Sequence, residues 1–260
     1  MRLHKENVPI HRERARTGVT CPLMIPIDRS ALPRHIACVM DGNGRWAEQR
    51  DLPRVEGHKM GEHALFETVA GALDLGIEWL TVYAFSTENW KRPPDEVKFL
   101  INFNEDILLR RQQELHESGV QIRFIGRTDW RVPKRLTRLM ADATELTKNN
   151  TKLKFTIAFN YGGRAEIVDA VKSLVKTGIA PDKITEKMLA RHLYDPQMPD
   201  VDLMIRTSGE YRTSNFLLWE LAYSEMWFTD TLWPDFDRTD IAKAIYDFQN
   251  RTRRYGGVTA

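Results

Sequence analysis

The feature that most limits what this chain can become is an alternation, along most of its length, between short β-rich runs and long amphipathic ones. Strands separated by helices pair in parallel, bury both faces of their sheet, and bind ligands beyond the carboxyl ends of the strands. The first such run is His35 to Met40, with Ile36, Val39 and Met40 set for burial, and it closes in a polar, glycine-rich turn. Trp79 to Phe85, Val120 to Ile125, Lys152 to Phe159, Val201 to Ile205 and Met226 to Thr229 read as the other strands. Helices are expected from about Gly57 to Leu75, Asp95 to Ser118, Pro133 to Thr147, from about Arg164 onward, Thr185 to Leu193 and Arg238 to Arg251, with Gly76 and Gly119 as stops. The expected fold is a single α/β domain with a mainly parallel, about six-stranded central sheet flanked by helices.

At 260 residues the chain fits one large domain, here expected over residues 31–260. Residues 1–30, polar and interrupted by Pro9, Pro22 and Pro26, read as a flexible N-terminal extension. Against 36 acidic residues stand 38 basic ones, a formal charge of +2. That balance denies the broad positive field that nucleic acid binding needs, so any anion is held locally. Cys21 and Cys38 form neither a metal-type nor a redox pair, and the chain reads as a reduced, cytoplasmic protein. No apolar run reaches signal-peptide or membrane-span length.

Three polar clusters fall at expected strand ends. In Asp41-Gly42-Asn43-Gly44-Arg45-Trp46, two glycines free the backbone to turn amides toward a phosphate, and Arg45 adds charge-assisted bonds. An acid beside an anion site makes sense if a divalent cation bridges them, which favours Mg²⁺; taken alone, the segment reads equally as an Asx turn. Arg206, Ser208, Arg212 and Ser214, with Glu225 further on, form a second potential cradle, suited to a diphosphate. Two cradles imply two phosphorylated substrates. The alternative is a solvated loop whose arginines pair with Glu210 and Glu220.

The third cluster, Ser86-Thr87-Glu88-Asn89-Trp90-Lys91-Arg92-Pro93, reads by itself as a capped helix entry. His58 stands near a helix start, where capping or packing competes evenly with function. Trp79, Phe85, Phe99, Phe103, Phe155 and Phe159 read as core, a subset of them free to line an apolar tunnel. The chain has no GxxxxGK[ST] loop, no GxGxxG after its first strand and no DDxxD pattern, which argues against P-loop, Rossmann and trans-prenyltransferase readings.

Taken in order, His35 to Trp46, Ala84 to Pro93, Arg206 to Glu210 with Arg212, Ser214 to Trp219, and Phe228 to Phe236 resemble the cis-prenyltransferases of the bacterial undecaprenyl diphosphate synthase type, from about Leu32 to Gly257. The resemblance implies a dimeric, Mg²⁺-dependent enzyme, with residues 31–260 its catalytic domain. Such an enzyme adds isopentenyl diphosphate repeatedly to an allylic diphosphate such as farnesyl diphosphate. Each new double bond is Z, and the long polyprenyl diphosphate is the precursor of a lipid carrier for cell-wall synthesis.

By the same resemblance Gly42, Asn43, Gly44, Arg45, Arg54 and His58 surround the allylic diphosphate, with Trp46 also in the substrate-binding set, and Arg206, Arg212 and Ser214 hold isopentenyl diphosphate. Asp41 is the essential acid and a metal ligand, and Glu225 helps place the metal from the partner subunit. Asn89 matches a catalytic position, and Ser86, Thr87, Glu88, Trp90, Arg92 and Glu96 match substrate-handling positions and a mobile segment over the tunnel. Arg254-Tyr255-Gly256 resembles an RxG element that reaches the neighbouring site, or reads as a frayed basic tail. Tyr211 replaces a histidine linked to metal in some members; a phenol with a pKa near 10 is a poor Mg²⁺ ligand, and that role is not carried over.

The resemblance also implies a long product, since related short-chain enzymes can carry a bulkier, tunnel-blocking residue where this chain has the small Ala84. Each five-carbon unit gains on the order of 4 kcal/mol on burial, so release is the difficulty, and the bilayer is expected to take up the product during a transient contact. The alternatives are a short-chain or irregular isoprenyl diphosphate synthase on the same scaffold, and a non-catalytic partner subunit. The acceptor of the proton lost after carbon–carbon bonding stays open between the diphosphate and the Ser86 and Asn89 region.

Overall fold

The computed structural model describes residues 25–252. Six strands, β1 (His35–Val39), β2 (Trp79–Ser86), β3 (Val120–Ile125), β4 (Leu153–Tyr161), β5 (Leu203–Arg206) and β6 (Glu225–Phe228), form one sheet in the order β3-β4-β2-β1-β5-β6. Every pairing is parallel. The helices are α1 (Asn43–Glu48), α2 (Arg54–Leu75), α3 (Pro94–Glu117), α4 (Lys134–Thr147), α5 (Gly163–Val175), α6 (Glu186–Ala190) and α7 (Arg238–Gln249). The expected alternation therefore holds, and the order reverses direction on either side of β1, which opens a crevice at the carboxyl end of β1.

Alternation along β1 shows how the core is divided. Ile36 and Cys38 join a large apolar cluster with α2, α3, α4 and α7, while Ala37 and Val39 join a smaller one with Tyr161, Met204, Phe216 and Leu217. A strand buried on both faces is what an all-parallel sheet requires. Cys38 is fully buried, and burial pushes its thiol up to about 12, which leaves it inert.

Several boundaries differ from the sequence reading: α6 stops at Ala190 rather than Leu193 and β4 runs on to Tyr161, and two further differences have a clear physical reason. The glycine-rich segment after β1 is not a turn throughout: it becomes helical at Asn43, with Gly42 at φ 109° before it. This six-residue helix is held by packing rather than propensity, since a Cβ on Gly57 would lie 1.9 Å from the Asn43 carbonyl oxygen and one on Gly61 2.4 Å from Asn43 Oδ1. For the same reason α2 starts at Arg54, ahead of the expected Gly57: Gly57 is a contact point inside the helix, not its start. Of residues 1–30, the last few form a 3-10 turn (Arg29–Ala31) bound to α7 through Gln249, whose side chain donates to the Asp28 and Ala31 carbonyls. Cys21 and the Arg254-Tyr255-Gly256 element lie outside the described residues.

Candidate active site

Beyond the carboxyl ends of β1 and β5, two segments are clamped together by Thr207. Its hydroxyl accepts from the Asp41 amide (2.9 Å) and donates to the Asp41 carbonyl (2.7 Å). Arg206, the last residue of β5, is 2 % exposed and spends its guanidinium on three partners. One nitrogen meets Asp41 Oδ2 at 2.8 Å, and another reaches Ser214 Oγ at 2.7 Å and the Arg212 carbonyl at 2.5 Å. Its Nε is buried without a hydrogen-bond partner among the described residues. A buried arginine needs such partners to offset its desolvation, and these bonds fold the loop after β5 back over the sheet. Ser208, Ser214, Asn215 and Leu217 all take positive φ in that loop.

Arg45, one turn into α1, donates to the Ser208 carbonyl (2.9 Å) and to its hydroxyl, and lies 3.2 Å from Glu210 and 3.8 Å from Asp41. Arg212 also pairs with Glu210, so Glu210 serves two partly exposed arginines at the rim. The alternative of arginine pairing thus applies to Glu210 but not to Glu220, which is buried apart from them. Arg54 pairs with Glu48 at 2.6 Å and packs over Gly44, where a Cβ would meet its guanidinium at 2.6 Å. His58 is largely buried; burial, then the charge of Arg92, and further that of Arg54, push its imidazole down to about 4, so it is neutral at neutral pH. Its Nε2 and Asn43 Oδ1 are buried without hydrogen-bond partners among the described residues.

The segment after β2 is the capped turn that its sequence suggests. Thr87–Lys91 forms a 3-10 helix, and the Ser86 amide donates to Asn89 Oδ1 at 2.9 Å. Glu88 accepts from Asn215 at 2.9 Å, tying this turn to the loop after β5. Burial works to raise the Glu88 carboxyl, but the bond from Asn215 and others nearby outweigh it and hold it below its usual value.

These segments close round a cavity of about 720 Å³ that enters between α2, α3 and the sheet. Of the expected site residues, Asp41, Asn43, His58, Ser86, Glu88, Asn89, Arg92, Arg206, Arg212 and Ser214 line it. Much of the remaining wall is apolar, with Leu65 and Phe66 of α2, Leu100, Phe103, Ile107 and Leu108 of α3, and Phe124, Phe155 and Ile157 of the sheet, interrupted by the polar Glu62, Asn104, Arg111 and Gln112. Ala84 lines it too, at an irregularity in the pairing of β2 with β4: the register steps from Tyr83↔Ala158 to Phe85↔Phe159, so Ala84 is the extra residue of a bulge. Of the six aromatics expected as core or tunnel, Phe103 and Phe155 line the cavity, whereas Trp79, Phe85 and Phe159 are buried core and Phe99 packs against it.

Other expected residues lie outside the lining. Trp46 is buried, and its indole donates to Asp235 at 2.7 Å; Trp90 donates to Asn160 at 2.7 Å and meets Phe85 edge-on. Gly42, Gly44, Arg45, Arg54 and Thr87 are not among the residues that line the cavity. Glu225 is not near Asp41 within this chain: Leu203 pairs with Glu225 and Arg206 with Phe228, which sets Glu225 about 10 Å down the strand, where it pairs with Arg251 at 3.0 Å. Tyr211 is 74 % exposed and leans on Phe228. Asn215, which ties the two loops, and Glu62, Asn104, Arg111 and Gln112 inside the tunnel are lining residues outside the expected set. Helical spacing from Phe103 through Ile107 to Arg111 is the available signal for the last group.

Among the described residues no group of three or more His, Cys, Asp or Glu could hold a metal ion. Asp41 alone fits Mg²⁺, which commonly takes one or two carboxylates and completes its shell with water and substrate phosphate. Its Oδ2 is engaged by Arg206, but Oδ1 has only the 3.8 Å approach of Arg45.

Residues 39–256 match the prenyltransferase family described as "Putative undecaprenyl diphosphate synthase". The chain is 53% identical to a trans,polycis-polyprenyl diphosphate synthase, (2Z,6E)-farnesyl diphosphate specific, of Thermobifida fusca, over 98% of this chain and 90% of that one. It is 51% identical to the decaprenyl diphosphate synthase of Mycobacterium tuberculosis, over 87% and 78% of the two chains. Among solved structures it is similar to lavandulyl diphosphate synthase from Lavandula x intermedia in complex with dimethylallyl diphosphate, with a TM-score of 0.84 and 34% identity over 87% of this chain and 99% of that one.

Proposed function

The chain belongs to the undecaprenyl diphosphate synthase family of cis-prenyltransferases, and on that premise we propose that it condenses isopentenyl diphosphate repeatedly onto an allylic diphosphate, farnesyl diphosphate by preference, to give a long-chain Z-polyprenyl diphosphate. The observation that carries this reading is the union of a charged mouth with an apolar interior in one cavity: Asp41, Arg206, Arg212 and Ser214 at one end, Phe66, Leu108 and Phe155 at the other. A diphosphate needs the first and a growing hydrocarbon the second.

In this reading Arg45, Arg54 and His58, with the Gly42 to Gly44 backbone, receive the allylic diphosphate. Arg206, Arg212 and Ser214 receive that of isopentenyl diphosphate. The rim ion pairs of Arg45 and Arg212 with Glu210 hold these guanidiniums in place until phosphate oxygens replace the carboxylate. Asp41 is positioned by Arg206 and Thr207 to hold Mg²⁺. The ion, when bound, supplies Lewis-acid neutralisation of the departing diphosphate. As the allylic C–O bond breaks, the alkene of isopentenyl diphosphate forms the new C–C bond and then loses a proton, to the diphosphate or in the Ser86 and Asn89 region. The apolar walls exclude water from the carbocation-like centre. Ser86, Thr87, Glu88, Asn89, Trp90 and Arg92 form the entry turn, which bonds to the loop after β5 through Asn215.

The chain acts as a homodimer in this reading, and Glu225 reaches a metal only in the site of another copy, since its own Asp41 is at the other end of the sheet. No helix among the described residues is long and apolar enough to cross a membrane; we place the enzyme in the cytoplasm, meeting the inner face of the membrane to release product into lipid. Labelled isopentenyl diphosphate, supplied with farnesyl diphosphate and Mg²⁺, tests the assignment. The wild type incorporates label, and Asp41→Asn, isosteric but uncharged, loses at least about 100-fold in rate. Undiminished incorporation by Asp41→Asn refutes the role given to Asp41.

A further inference from the structure

Most apolar side chains of this molecule are covered, but Trp130 is 92 % exposed. It does not hang from a slack loop. Asp129 accepts from the Arg131 amide at 3.0 Å and pairs with its guanidinium, the buried Asn160 donates to the Arg127 carbonyl at 2.8 Å, and Val132 is buried in the core. Both neighbours are pinned, so the fold holds the largest apolar side chain out into water. An indole in that position suits a medium that is apolar at depth and polar at its surface.

Charge and shape around it point the same way. Residues 126–138 contain Arg127, Arg131, Lys134, Arg135 and Arg138 against the single acid Asp129, in a chain whose whole formal charge is +2. Arg127, Arg131 and Arg135 have acidic partners, whereas Lys134 and Arg138 are exposed, form no ion pair among the described residues, and stand one turn apart on α4. Beside them a groove of about 370 Å³ runs between α3 and Pro133, lined by Trp90, Val97, Lys98 and Ile101 among others. Arg92 lines both this groove and the cavity, and the Arg131 guanidinium sits 5.4 Å over the Trp90 ring. The surface therefore adjoins the cavity mouth, at the same end of the sheet.

We infer that Trp130, the groove against α3 and the basic start of α4 form the surface on which this protein docks to an anionic phospholipid bilayer, with the indole at the headgroup level and Lys134 and Arg138 on lipid phosphates. The inference rests on the membrane contact proposed above and gives it an address. Docking there brings the entry turn 87–91 against lipid, so a product leaving the mouth passes into the bilayer.

The test is co-sedimentation of the full-length protein with vesicles of phosphatidylcholine alone and of phosphatidylcholine mixed with phosphatidylglycerol. Wild-type protein pellets with the anionic vesicles and is released by salt. Trp130→Ala and the double variant Lys134→Glu/Arg138→Glu each bind at least about tenfold more weakly, while turnover in detergent stays at the wild-type level. If the wild type binds no vesicle, the membrane contact itself is wrong, and activity in detergent still upholds prenyl transfer. If the wild type binds and both variants bind equally well, the contact exists but this surface is not it.

Discussion

Arg206 shows how one side chain serves both fold and site. Its guanidinium joins Asp41 to Ser214 and to the Arg212 carbonyl, so the acid and the loop cannot move independently. A lysine retains the charge but not the fork that meets three acceptors at once. Arg206→Lys is expected to lower kcat/KM for isopentenyl diphosphate by about 10- to 100-fold, read from initial rates with that substrate varied; an unchanged value means the fork is unnecessary. Near this loop lies a pair of buried acids, Glu166 and Glu220. Burial, with the charge of Glu166 next, pushes the Glu220 carboxyl up to about 8, and its Oε2 has no hydrogen-bond partner among the described residues. Glu166, raised by burial, accepts from the Tyr161 hydroxyl. A carboxyl protonated in the fold and ionised in the unfolded chain makes the native state hold more protons. The stability it gives is fully present below the unfolded value of 4.5 and is lost as pH rises toward 8. Glu220→Gln should flatten that decline and raise Tm at pH 8 by about 2–4 °C or more; a melting curve as pH-dependent as the wild type contradicts this.

At the level of elements, the strand-to-helix alternation identified the parallel sheet because buried strands and amphipathic helices carry different periods, and β3 even begins and ends where expected. What stayed hidden was set by contacts distant in sequence. The six residues of α1 have two glycines before or within their first turn, which read locally as a turn; only the flat surface made by Gly57 and Gly61 on α2 explains the helix. Likewise Asp41, Arg206 and Ser214 are legible as chemistry, but nothing local says that Trp46 turns to Asp235 while Asn43 lines the cavity. The bulge in β2 is another such feature, and it sets the small side chain of Ala84 in the cavity wall. Ala84→Leu should fill that space and shift the products to shorter chains while the first condensation survives. Thin-layer separation of labelled products checks this, and an unaltered length distribution rules out Ala84 as a limit on growth.

On the scale of the whole molecule the cavity both drives and obstructs the reaction. Burial is worth about 4 kcal/mol for each five-carbon unit, and some ten units exceed the noncovalent ceiling of about 18–21 kcal/mol, so a finished chain is not wholly enclosed and leaves slowly into water. Detergent or lipid is therefore expected to raise steady-state turnover several-fold without changing the rate of a single turnover; equal stimulation of both rates contradicts release as the slow step. The charged mouth, the apolar wall and the proposed lipid-facing rim share one use, the repeated elongation of one chain in one cavity. Mass spectrometry of the products made from farnesyl and isopentenyl diphosphates tests that most directly. A series in five-carbon increments that accumulates at a long Z-polyprenyl diphosphate is the predicted result, and a product that stops after one condensation, or is branched, contradicts it.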